Sequence, residues 1–140
     1  MTVKYDPLAF DYREHRKPDV SIAEKIDAHV AGAKSIINVG AGTGSYEPRN
    51  CNVIALEPSV KMILNRPKDA AKAIQGLAEH IPFQRNEFDI AMGILTIHHW
   101  QNLHMGLTEM KRVARQKIVL LTWVDESPPY WMEDYFPEMR

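Results

Sequence analysis

Apolar residues fall into short runs along the chain, and the spacing changes from run to run. Three runs are continuous and rich in β-branched side chains: SIINV (35–39), NVIALE (52–57) and FDIAMGIL (88–95). Unbroken runs of this length predict strands buried on both faces, as in a parallel sheet. KIVLLTWV (117–124) reads as a further strand and AKAIQ (71–75) as a weaker one. Elsewhere the period is helical. Ile22, Ile26 and Val30 share one face of a predicted first helix that Gly32 ends, with Ser21 and Glu24 in capping-box spacing at its start. Leu103, Leu107, Met110, Val113 and Ala114 mark an amphipathic crossover helix between the last two strong strands. Strand and helix alternate, so the predicted fold class is α/β: a Rossmann-like, doubly wound, mostly parallel sheet with helices on both faces.

Composition narrows this to a single domain over residues 1–140, of which 45% are hydrophobic. Residues 1–18 read as an amino-terminal arm and 125–140, rich in proline and aromatics, as an irregular tail. Lys plus Arg (17) nearly balances Asp plus Glu (18) without a block of like charge, which argues against a nucleic-acid or membrane partner and for a small molecule. A single cysteine, Cys51, and an amino terminus without a signal-peptide pattern fit the cytoplasm.

The candidate chemistry begins at INVGAGTGSYE (37–47), where Gly40, Gly42 and Gly44 follow the first strong strand. In a doubly wound sheet, ligands bind at the carboxyl ends of the strands, and a glycine turn there admits positive φ and is expected to offer free N–H groups. The dinucleotide pattern G-x-G-x-x-G fails, because Ser45 stands where the third glycine should be. That disfavours a nicotinamide oxidoreductase. Glu57 ends the second strand, where a carboxylate can accept hydrogen bonds from both hydroxyls of a ribose.

The ordered series VGAGTGSYE, IALEPS, GLAEHIPF, FDIAMGILTIHHW and EMKRVARQKIVLLTW resembles the class I methyltransferases that use S-adenosylmethionine (SAM). It is most similar to their small-molecule branch, the ubiquinone and menaquinone biosynthesis enzymes. The resemblance covers about residues 35–124 and implies methyl transfer to a small organic acceptor, with S-adenosylhomocysteine (SAH) as product. It also implies that Gly40, Ala41, Gly42 and Gly44 admit the methionine portion and ribose, that Glu57 holds the diol, and that Pro58 and Met62 flank the adenine. Ala78 and Glu79 would meet the adenine edge, although relatives often carry an acid where Leu77 stands. Tyr5, Tyr12 and Arg16 would fold near the cofactor carboxylate. His98 and His99 are candidate general bases beside the acceptor. With His104 they show no ligand spacing, so no metal is expected. Trp100, Trp123 and Trp131 are acceptor-pocket or core candidates.

Two departures from the resemblance matter. Only SYEPRNC separates Gly44 from the second strand, where relatives place a helix, so a brief helical turn is expected. The chain also stops soon after the fifth strand. Its apolar edge would then be left by a chain lacking the last strands, buried in a homodimer, or crossed by YWMEDYF. A cofactor-binding or scaffold module of this fold without turnover is the alternative function.

Overall fold

The computed structural model describes residues 18–122. In it α1 (Val20–Val30), β1 (Ser35–Val39), β2 (Asn52–Glu57), α2 (Val60–Leu64) and β3 (Lys72–Gln75) precede β4 (Phe88–Ile94), α3 (Leu103–Val113) and β5 (Ala114–Leu121). All pairings are parallel, in the order β3-β2-β1-β4-β5. The doubly wound α/β reading therefore holds.

Consecutive residues of β1 face opposite sides, as strand geometry requires. Ile37 and Val39 join Leu56, Ala91, Met110 and Val113 in the layer under α3, while Ile36 joins Ile26, Val30, Ile90 and Met92 under α1. Side chains such as Ile36, Ile90, Met92 and Met110 are fully enclosed, each contributing roughly 1.5–3 kcal/mol by leaving water.

Local signals set most boundaries. The first helix departs from its expected cap: Asp19, not Ser21, is the N-cap, accepting the Ile22 N–H at 3.1 Å. Gly32 (φ +82°) follows its C-cap Ala31. β5 starts at Ala114, ahead of its predicted Lys117, because α3 runs straight into it. No helix forms between β1 and β2; residues 40–51 are turns and bends. The face a crossover helix would cover is filled by α1, with Tyr46 and Cys51 packed against the same layer.

An ionic cluster ties the starts of three strands. Asp89 accepts from the Lys34 N–H at 2.8 Å and from Arg115 Nη2 at 2.6 Å, and its own N–H donates to Ser35 Oγ at 3.1 Å. Arg115, first, and the Lys34 N–H hold the Asp89 carboxyl below the usual carboxylate range.

Candidate functional site

The connections leave β1 toward β2 on one side and toward β4 on the other, so the switch point lies at the carboxyl end of β1. There the chain bends through Gly40 (φ +67°), Gly42 (φ +55°) and Gly44 (φ +89°), a left-handed series that glycine alone tolerates without strain.

Each glycine meets something different. A Cβ on Gly40 would lie 2.0 Å from Thr96 Oγ1, so this position is bare because the buried Thr96 closes on it. A Cβ on Gly44 would lie 2.9 Å from Glu47 Oε1 and 3.2 Å from Arg66 Nη1. At Gly42 nothing among the described residues stands within 4 Å. Of the three, only Gly42 is clear of every other described residue.

The bend's N–H groups are also largely spent, contrary to the expectation of free donors. Those of Gly40 and Ala41 donate to the Leu56 carbonyl at 2.8 and 3.1 Å, and that of Gly44 to the Ala41 carbonyl at 3.0 Å. The Gly42 N–H donates to Glu57 Oε2 at 2.7 Å. A bend with its donors satisfied internally is a poor phosphate cradle, so the exclusion of dinucleotides gains a structural reason.

Glu57 is 6% exposed, and its Oε1 accepts the Ser59 N–H at 3.0 Å. The Gly42 carbonyl accepts from Arg66 Nη1 at 3.1 Å, and Arg66 Nη2 pairs with the Glu47 carboxylate and donates to the Ala71 carbonyl at 3.1 Å. Asn38 Nδ2 completes the cluster by donating to Glu47 Oε2 at 2.8 Å.

Pro58 continues from Glu57, and Met62 lies buried in α2, whose N-cap Ser59 accepts the Met62 N–H at 3.2 Å. Gly76 donates to the Glu57 carbonyl at 3.3 Å, which puts the following Ala78 and Glu79 at the same end of the sheet. Ala78 is buried, whereas Glu79 Oε1 accepts the Asn102 N–H at 3.1 Å, at the residue that caps α3. Arg112 holds the rest of this segment through the Ile81 and Phe83 carbonyls at 2.9 and 2.7 Å. Its partner Glu109, which takes the Ile81 N–H at 2.9 Å, is thereby held below the usual carboxylate range, Arg112 being the first cause. A shallow cleft of about 530 Å³ runs from Glu79 and His80 along His104, Met105 and Thr108, and none of its lining belongs to the glycine bend.

Beyond β4, Leu95 takes φ +53° and leads to Thr96. His98 and His99 follow in a single exposed turn, rings 3.7 Å apart and tilted by 58°. Trp100 packs onto α3: a Cβ on Gly106 would lie 2.3 Å from its ring, so this tryptophan is core.

A family model described as "Methyltransferase domain" matches residues 37–121. The chain belongs to that methyltransferase domain family. Its cofactor is SAM. The domain is 29% identical over 131 residues to the tRNA (carboxymethyluridine(34)-5-O)-methyltransferase of Schizosaccharomyces pombe, covering 88% of this chain and 57% of that protein. It is 27% identical over 115 residues to the chloroplastic 2-methyl-6-phytyl-1,4-hydroquinone methyltransferase 2 of Oryza sativa, covering 74% of this chain and 33% of that protein. Among solved structures, a methyltransferase proposed for an antibiotic biosynthesis pathway in Anabaena variabilis superposes with TM-score 0.78 at 32% identity, over 89% of this chain and 54% of that one.

The methyltransferase domain thus brings Gly42 onto the Glu57 carboxylate and Gly40 and Ala41 onto the neighbouring Leu56 carbonyl, with Pro58, Met62, Ala78 and Glu79 around the same strand ends. Tyr5, Tyr12, Arg16, Trp123 and Trp131 lie outside the described residues. A bend position clear of every other described residue, beside a strand-tip carboxylate, fits the ribose end of SAM. Thr96, Glu47 and Arg66 went unread in the sequence. Asn38, a polar residue inside an apolar strand, was the one visible signal of their cluster. Among the described residues, no three His, Cys, Asp or Glu side chains gather as metal ligands, and no helix is long and apolar enough to cross a membrane.

Proposed function

We propose that this chain transfers a methyl group from SAM to a small organic acceptor, the activity of the family to which it belongs. The observation that carries the reading is the pairing of Gly42, which no described side chain approaches, with the strand-tip carboxylate of Glu57, which holds the bend through the Gly42 N–H. When bound, SAM supplies a sulfonium methyl that a nucleophile takes up with the sulfur as leaving group. The protein's task is then to align and desolvate two reactants, and orientation of this kind is worth roughly 7–11 kcal/mol.

In this reading Gly40, Ala41, Gly42 and Gly44 line the methionine and ribose portions, and Glu57 accepts the ribose hydroxyls. Pro58 and Met62 wall the adenine, and Ala78 with Glu79 meets its edge. His98 or His99 takes the proton that an oxygen, nitrogen or acidic-carbon acceptor must lose. Tyr5, Tyr12 and Arg16 remain assigned to the cofactor carboxylate by resemblance.

The rice relative's hydroquinone supports a small aromatic acceptor. The fission-yeast relative favours a second reading, a tRNA acceptor, against which stands the net charge of −1. The outer edge of β5, unpaired among the described residues, supports association of two copies there, and the lone cysteine supports a reducing cytoplasm.

Calorimetry with SAH tests the core of the proposal: the full chain should bind, and Glu57→Ala should abolish the heat. Label transfer from methyl-labelled SAM to hydroquinones and to tRNA then separates the two acceptors. Binding without transfer to either would favour the alternative of a cofactor module without turnover.

A further inference from the structure

The short connection between β1 and β2 raises a mechanical question. A crossover helix normally starts at the glycine bend and fixes it through its own backbone bonds. Here residues 40–51 form only turns, and the bend needs another support.

We propose that Arg66 is a positioning residue that takes over this role, holding the Gly42 peptide in the orientation that receives the cofactor. The inference deepens the SAM-binding reading and rests on it. Gly42 is gripped from both sides, its N–H by Glu57 at 2.7 Å and its carbonyl by Arg66 at 3.1 Å. The same guanidinium reaches Glu47 and the Ala71 carbonyl, so one planar fork spans the bend, the connection and the approach to β3. Its side chain and that of Glu47 are only 5% and 6% exposed. Arg66 Nε is buried with no hydrogen-bond partner among the described residues. A buried ion pair with an unsatisfied donor is weak support for stability, and its best-attested use is to specify geometry. The bare Cα at Gly44 follows, since a Cβ there would lie 2.9 Å from Glu47 Oε1 and 3.2 Å from Arg66 Nη1, inside the clamp.

The test uses the full chain and three measurements. Arg66→Lys keeps the charge beside Glu47 but loses the fork. Arg66→Met combined with Glu47→Gln removes both charges and strands neither. Both variants should retain the wild-type circular dichroism spectrum and bind SAH about tenfold or more weakly, the size expected for a lost charge-assisted contact. Wild-type affinity in either folded variant overturns the inference. The third measurement needs no variant: in the wild type, nuclear magnetic resonance should find the Arg66 guanidinium protons slow to exchange and its rotation hindered. A freely rotating, fast-exchanging guanidinium would overturn the clamp even if both variants failed to fold. A wild type that binds no SAH would instead reject the cofactor reading itself, and the resonance result would still judge the clamp.

Discussion

Two arginine–carboxylate clusters brace the same sheet, one across the starts of β1, β4 and β5, the other at the glycine bend. Arg115 and Asp89 share the first with side chains 47% and 9% exposed, while Arg66 and Glu47 form the second at 5% and 6%. The partners of the first are strand-start groups: Lys34, Ser35 and the Asn86 carbonyl, which accepts from Arg115 Nη1 at 2.9 Å. The second engages a left-handed peptide that no other described residue approaches on its Cα side. The same ionic chemistry therefore locks strand register at one place and shapes a binding surface at the other. Water decides the difference: the half-exposed Arg115 leaves the first pair partly screened, whereas the second, buried on both sides, pays a desolvation cost that only its geometry justifies.

The sharpest way to break this contrast is to strand one buried charge. Glu47→Ala leaves Arg66 unpaired inside the protein and should cost about 3–5 kcal/mol in urea unfolding. The double change Arg66→Met with Glu47→Gln should cost much less, because no ion is left behind. Equal losses for the single and double variants would mean that the pair contributes directly to stability.

The three glycines give the next effect. Gly40→Ala drives a methyl group into Thr96 and adds φ strain, an overpacking loss of about 1–3 kcal/mol that Thr96→Gly should partly rescue. Gly42→Ala meets no atom and should lose only the left-handed penalty of about 1–2 kcal/mol, while damaging SAH binding more than Gly40→Ala does. Thermal melts paired with calorimetry would separate stability from binding at the two positions.

This division explains what could be read from the chain in advance. SIINV and NVIALE became β1 and β2 without a shift, because a strand buried on both faces writes itself as an apolar run. The apolar pattern starts β5 three residues late, at Lys117, since Arg115 and Gln116 are polar and exposed on an edge strand and break the run after Ala114. Gly42 and Glu57 were legible because their chemistry depends on residue type at a strand tip. Thr96 and Arg66 were not. Their partners at Gly40 and Gly42 lie far off along the chain, and in LNRPKD an arginine looks like any solvated loop residue.

Acid sharpens the comparison from the other side. The Asp89 carboxyl is held low by Arg115 and the Lys34 N–H, and that of Glu109 by Arg112 and the Ile81 N–H. A depressed folded-state pKa gives stability that is fully present above the unfolded value and is lost as pH falls through the folded one. The urea midpoint should hold steady from neutral pH to about 5, then fall below about 4 as these carboxylates protonate. Asp89→Asn should lower the midpoint at neutral pH and flatten part of the acid slope. An unchanged slope would remove Asp89 from the account.

The smallest effect belongs to a surface pair, Arg49 and Asp69, joined at 2.8 Å with side chains 80% and 64% exposed. Its distance is well within the ion-pair range, yet it touches neither the bend nor a strand start. Exposed pairs of this kind contribute about 1 kcal/mol or less, because screening and side-chain entropy offset the attraction. Arg49→Ala should therefore move the thermal midpoint little, less still in high salt, and leave SAH affinity at the wild-type value. A large binding loss on this change would mean that the connection between β1 and β2 is held along its whole length and not at Arg66, and the distinction between the buried clamp and the surface charges would disappear.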